Sequence, residues 1–187
     1  MIVVEREPSE LDRLVLEFVR CLGLDYVIVA GYVAILLGRA RTTDDIDIIV
    51  DAASGAEVAA GVARCGFKPL TLDNNLDYEF RHASVRFFKP PAVLPNFEVK
   101  PPRSFYQRHA LARRVAVSVG GEILHISPLE LQIAYKLWLG SDKDFEDAVF
   151  IYSFARSRGI LNGEELEAWA RRLGVSLERL RRSVGEI

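Results

Sequence analysis

The stretch GYVAILLGRARTTDDIDIIV, Gly31 to Val50, sets Asp45 and Asp47 one residue apart in an apolar, β-branched run. If Ile46 lies in a strand, the two carboxylates project from one face about 7 Å apart, close enough to share one or two divalent ions. Ile46, Ile48, Ile49 and Val50 have strand composition, and Tyr26-Val27-Ile28-Val29-Ala30 is a second such run, stopped at Gly31. Between them Tyr32 to Leu37 is apolar and closes at Gly38, which predicts a short buried helix. The order is strand, glycine turn, helix, a loop Arg39-Ala40-Arg41-Thr42-Thr43, and a strand carrying the acids. An Asp-x-Asp pair alone is most often a solvated strand end. The preceding strand, turn and helix make it a candidate metal site.

With these residues the chain resembles the DNA polymerase β-like nucleotidyltransferase superfamily. Its signature is an apolar residue, Gly, then Gly or Ser, a spacer of roughly ten residues, and Asp-apolar-Asp on a strand. Arg41, Thr43, Asp45 and Asp47 match in register the Arg-x-Thr-x-Asp-apolar-Asp loop of its small-protein branch. The resemblance implies an α+β nucleotidyltransferase fold, a mixed sheet flanked by helices with a C-terminal helical extension. It also implies Mg²⁺ or Mn²⁺ as cofactor and an NTP as substrate. Gly31, Tyr32, Arg41 and Thr43 would lie against the nucleotide. Tyr32 departs from the pattern, which has a small residue there so that backbone amides approach the phosphates. Either its side chain turns into the core, or triphosphate binding is altered or lost.

At 187 residues, half of them apolar, the chain can bury a core as one domain or one domain with a helical extension. A net charge of -2 gives no global attraction to nucleic acid. There is no apolar run long enough for a membrane span, and the charges of MIVVEREPSE stand where a signal peptide needs its apolar region. A cytoplasmic protein is expected. Cys21 and Cys65 lie in apolar helical surroundings without a CxxC or histidine partner, so buried free thiols are expected. The excess of Arg over Lys hints at a thermophile, in which a Cys21 to Cys65 disulfide becomes an option.

Leu11, Leu14, Val15, Phe18 and Leu22 repeat at helical spacing after Pro8-Ser9-Glu10 and end at Gly23; Ser54 caps a second helix reaching Gly66. Residues 67–72, 78–82, 85–88 and 97–100 are predicted as short strands, and 113–119 with 122–126 as a hairpin around Gly120-Gly121. From Ser127 the pattern is helical. Ser127-Pro128-Leu129-Glu130 has the form of a capping box, and helices are predicted over 128–139, 142–158, 163–173 and 177–184, with Asn162 and Ser176 as caps. This gives a nucleotidyltransferase α/β domain over 1–126 and a helical region packed on it over 127–187.

Two-metal nucleotidyl transfer commonly draws a third carboxylate from a neighbouring strand. Glu98, in Asn96-Phe97-Glu98-Val99, is the best candidate, with Asp77 and Glu79 behind it; the alternative is that Glu98 is a surface acid on an edge strand. Asp45, Asp47 and Glu98 are thus the expected catalytic and metal-binding set. In the tail, Ser127-Pro128-Leu129-Glu130-Leu131, Lys136-Leu137 and Lys143-Asp144-Phe145-Glu146-Asp147 resemble motifs of abortive-infection-type toxins; minimal nucleotidyltransferase antitoxins belong to the same small branch. That resemblance gives Lys136 a phosphate contact and Asp144 a part in organising the site. Lys136 in an apolar helix also has the simpler reading of snorkelling to solvent. Arg39 and Arg41 flank the metal loop and either hold a triphosphate or are solvated loop charges, Arg41 being the better candidate because it falls in the matched motif. Lys100, Arg103, Arg108, His109, Arg113 and Arg114, with Phe105 and Tyr106 between them, either follow a nucleic-acid backbone or form a solvated face.

The expected function is Mg-dependent transfer of an NMP from an NTP to an RNA 3′ end, such as a tRNA, or to a protein hydroxyl. The alternative keeps the fold without the chemistry, as a module binding a nucleotide or a cognate toxin or antitoxin partner. No zinc spacing and no GxSxG, Walker A or CxxC element supports another enzyme class.

Overall fold

A computed structural model of the chain describes residues 1–186 and, at Asp73, the backbone alone. The strands are β1 (Ile2–Val4), β2 (Tyr26–Val29), β3 (Asp45–Val50), β4 (Lys68–Pro69), β5 (Val85–Phe88), β6 (Asn96–Lys100), β7 (Val115–Val119) and β8 (Glu122–Ile126). They form one sheet in the order β1-β7-β8-β2-β3-β6-β5-β4. It is mixed: β1 with β7, β2 with β8, and β3 with β6 run parallel, and the other neighbours antiparallel. Around it stand α1 (Glu10–Leu22), α2 (Gly31–Leu36), α3 (Gly55–Ala63), α4 (Leu76–His82) and α5 (Phe105–Ala112), then α6 (Leu129–Leu139), α7 (Asp142–Ser157), α8 (Gly163–Leu173) and α9 (Glu178–Ser183). This is the α+β layout with a mixed sheet that the resemblance implies. All eight strands lie before residue 127 and four helices after it, while Ile187 lies outside the described residues.

Period-two alternation gives the sheet two different faces. Ile46, Ile48 and Val50 of β3 are buried on one side with Phe97 and Val99 of β6. Phe18 of α1 stacks on Phe97 with ring centroids 4.0 Å apart, and Phe67 meets Phe18 edge-on at 5.0 Å. This aromatic packing locks α1 to the back of the sheet. Asp45 and Asp47 therefore emerge on the other side. The Ser9 hydroxyl caps α1 by accepting from the Asp12 N–H, and Gly23 ends it in the left-handed region at φ 65°.

The structure corrects several expectations. Residues 78–82 are helical: Leu76 and Phe80, four apart, are both buried, and the Asp77 carboxylate accepts from the Ala56 N–H at 2.9 Å. Asp77 and Glu79 are thus on α4, where Glu79 accepts from the Thr71 hydroxyl, and are removed as third-acid candidates. Helix α5 was hidden beneath its basic residues, although Ser104 and Gln107 form a capping box there. Strand β1 was not expected, and the strand over 67–72 shrinks to two residues. The box predicted at Ser127 is absent, because Glu130 instead accepts from the Asn162 N–H at 2.7 Å and ties α6 to the start of α8. Cys21 and Cys65 form a disulfide, not two free thiols. Helices α1 and α3 pack closely enough that a Cβ on Gly61 would come 2.9 Å from the Leu22 carbonyl oxygen, which brings the two cysteines to a Cα separation of 6.3 Å. No helix among the described residues is long and apolar enough to cross a membrane.

Candidate active site

Three strands build the carboxylate face. In the parallel register of β3 with β6, Asp45 pairs with Asn96 and Asp47 with Glu98, so these side chains share the face opposite the aromatic core. The Thr43 hydroxyl donates to the Asp45 carbonyl oxygen at 2.9 Å and to its Oδ1 at 3.2 Å, holding the loop against the first acid. Lys100, two residues beyond Glu98, places Nζ 3.0 Å from Asp47 Oδ1. Glu98 accepts from Arg86 Nε at 2.6 Å across β5. Burial pushes the Asp47 carboxyl above its ordinary range; Lys100 opposes that, while Glu98 and Asp45 add to it.

Asp45 and Asp47 offer hard oxygen donors on one face, and that chemistry fits a magnesium-type cation. Glu98 stands across from Asp47 but turns to Arg86, and no three His, Cys, Asp or Glu side chains among the described residues are gathered as a ligand set. The pair fits the cation; the third acid is present in register but not drawn in.

At the glycine turn, Tyr32 takes the first of the two courses expected of it and turns its side chain into the core. Tyr32 is fully buried, and its hydroxyl donates to Asp12 Oδ1 at 2.6 Å. Asp12 also accepts from Arg6 and from the Ser9 hydroxyl. Its carboxyl lies below the ordinary range: burial raises it, but the Arg6, Tyr32 and Ser9 hydrogen bonds outweigh that. The Tyr32 side chain thus faces the core and leaves only backbone at the turn. A Cβ on Gly31 would lie 2.8 Å from Arg41 Nη2, so a side chain there would displace the Arg41 guanidinium. Ala30, just before it, is held at φ 62°, ψ −135°, a strained geometry for a residue with a Cβ.

Arg39, Arg41, Lys136 and Asp144 meet around a residue that the sequence argument passed over, Asp147. Arg41 Nη1 is 2.6 Å and Lys136 Nζ 2.9 Å from Asp147 Oδ2, and Arg39 bridges Asp147 and Glu146. Lys136 also reaches Asp144 Oδ1 at 2.7 Å. Burial raises the Asp147 carboxyl, but hydrogen bonds from Lys136, Arg41 and Arg39 bring it below the ordinary range, and Asp144 is lowered likewise through Lys136 and Ser141. Lys136 does not snorkel to solvent. It is 4 % exposed and fastens α6 to α7. The signal for Asp147 was in the sequence, as the last residue of Lys143-Asp144-Phe145-Glu146-Asp147.

A cavity of about 190 Å³ opens beside Asp47 and Lys100, between the sheet, α5 and α6. The basic run that contributes Lys100 does not form a continuous stripe. Arg103 donates to the carbonyls of Phe80, Arg81 and Ala83, and Arg114 pairs with Asp25 at 2.8 Å. Phe105 stacks on Trp169 of α8, and Tyr106 leans on Tyr135 of α6.

No protein-family model and no curated protein matches the chain. Solved structures do. An antigenic nucleotidyltransferase-like protein from Paracoccidioides brasiliensis superposes with a TM-score of 0.57 at 18% identity, over 92% of this chain and 87% of its own. The antibiotic-resistance factor ANT(2'')-Ia in solution gives 0.57 at 15% identity, over 95% and 97%. The crystal structure of ANT(2'')-Ia in complex with adenylyl-2''-tobramycin gives 0.56 at 16% identity, over 87% and 95%. The chain has the nucleotidyltransferase fold.

Proposed function

We propose that the protein is a magnesium-dependent nucleotidyltransferase that moves an NMP from an NTP to a hydroxyl acceptor. One observation carries the proposal: Asp45 and Asp47 share a face of β3, with Glu98 in register on β6, and Asp47 lines a cavity. The expected cofactor is Mg²⁺ or Mn²⁺, held by Asp45 and Asp47; bound there it neutralises phosphate oxygens and lowers the pKa of the attacking hydroxyl. Glu98 stands third. Its partner Arg86 is 57% exposed, and such a pair contributes only about 0–1 kcal/mol, so a ligand displaces it cheaply. Lys100 steadies Asp47, and Thr43 fixes Asp45. Gly31 and the backbone at Tyr32 border the approach to the phosphates, with the Arg41, Lys136 and Asp144 cluster behind them. The acceptor is an RNA end, such as that of a tRNA, or a protein hydroxyl, in a setting that includes a toxin–antitoxin partner.

Incubation with α-³²P-labelled NTPs and Mg²⁺ tests this. Labelled product is expected from the wild type and none from the Asp45→Ala/Asp47→Ala double variant; equal labelling by both sinks the proposal. A second reading, a nucleotide- or partner-binding module without turnover, draws on the pairing of Asp47 with Lys100 and of Glu98 with Arg86. Calorimetry with each NTP separates the two, since metal-dependent binding favours the enzyme and its absence the module.

A further inference from the structure

The cavity beside Asp47 constrains what binds there. At about 190 Å³ it exceeds the roughly 150 Å³ that accepts one benzene ring and falls short of the roughly 300 Å³ at which drug-sized pockets begin. Its charged groups are one acid, Asp47, and one cation, Lys100, 3.0 Å apart, so a polycation finds a single carboxylate on its lining. Ile49, Ala110 and Leu131 supply apolar walls, and Tyr106 and Tyr135, with ring centroids 5.2 Å apart, supply aromatic ones.

Two lining amides are each half used. Gln107 Oε1 accepts from the N–H groups of Arg103 and Ser104 at 2.8 and 3.0 Å, while its Nε2 donates to no described residue. Gln132, 2% exposed, donates from Nε2 to the Ala30 carbonyl at 2.9 Å, while its Oε1 accepts from no described residue. One spare donor and one spare acceptor thus belong to a slot sized for one ring. A flat uncharged ring with both functions on its edge satisfies them together, as glutamine amides do with base edges.

From this we infer that the cavity is a nucleobase slot, for the base of the NTP or the terminal base of a nucleic-acid acceptor. The inference rests on the proposed nucleotidyl transfer only for the role of the bound base, not for binding. The test is calorimetric titration of the full chain with adenosine, guanosine, cytidine and uridine in the absence of metal. At least one nucleoside binds. Ala110→Phe, which fills the slot, and Tyr106→Ala, which removes a wall at a half-buried position, each weaken it by at least about tenfold, the scale of losing one stacked base. If the slot holds the NTP base, both variants weaken NTP binding but not tripolyphosphate binding. If it holds the acceptor base, NTP binding is unchanged and that of a short single-stranded RNA weakens. Nucleosides that fail to bind the wild type, or that bind the variants equally, overturn the inference, as does binding of only N-acetyltyrosinamide or tobramycin. Labelling by the Asp45→Ala/Asp47→Ala variant judges the reaction separately, because nucleoside binding needs neither metal nor turnover.

Discussion

Asp47, half-buried, and Asp147, fully buried, are both carboxylates facing cations, and their environments drive them in opposite directions. Asp147 receives Lys136, Arg39 and Arg41, and its carboxyl is lowered. Asp47 receives Lys100 alone, has Glu98 and Asp45 as like-charged neighbours, and is raised. The first is saturated by its own fold and closes the link from the β3 loop to α7. The second is left short of positive charge on the wall of a cavity. A carboxylate that the fold leaves under-compensated is available to a ligand cation.

Breaking the saturated side has the largest expected effect. Asp147→Ala takes from Arg41 its one carboxylate partner among the described residues and from Lys136 and Arg39 one of two, and removal of one partner from such a buried cluster costs about 3–5 kcal/mol. Urea denaturation reads this directly, and a loss below about 1 kcal/mol, the value of an exposed pair, would show that the cluster is not structural. Its pH dependence follows from the same shifts. Asp144 and Asp147 are depressed below 3.8, so their contribution is complete above that pH and is lost as pH falls through their lower folded values. The Asp147→Ala protein is expected to lose less stability on acidification than the wild type.

A smaller effect comes from Tyr32→Phe. It removes one hydrogen bond to the charged, buried Asp12, worth about 1.5–3 kcal/mol, while Arg6 and Ser9 stay in place. Since the phenol faces α1 and not the carboxylate face, nucleotide labelling is expected to be unchanged in the folded variant. A selective loss of labelling without loss of stability would place Tyr32 back at the nucleotide.

Much of this was legible from local signals. Ser9 and Gly23 bracket α1, the alternation of residues 45–50 puts both acids on one face, and Gly31 marks the turn. What local pattern did not carry is which charges meet across the chain. Arg41 and Asp147 are more than a hundred residues apart, and their pairing depends on α7 lying against α2. The same holds for Lys100: in sequence it opens a basic run, and only the parallel register of β3 with β6 places it on Asp47. The strand predicted at 78–82 failed because its apolar period was set by two residues, Leu76 and Phe80, too few for local pattern to separate helix from strand.

The smallest stability effect, and the sharpest division between the two sites, belongs to Asp47→Asn. In the metal-free protein an acid with a raised folded pKa is bound to its proton more tightly when folded. Its ionisation therefore works against the fold, and stability attributable to it falls as pH rises from 3.8 through the raised value. A neutral amide removes that penalty and leaves Lys100 free to reach solvent, since its side chain is 22% exposed. Asp47→Asn is thus expected to melt at the same temperature as the wild type or slightly higher at neutral pH, while nucleotide labelling is lost and Mg²⁺ with NTP no longer raises the melting temperature. A destabilisation on the scale of Asp147→Ala would mean that Asp47 is held for structure, and the contrast between the two carboxylates would fail.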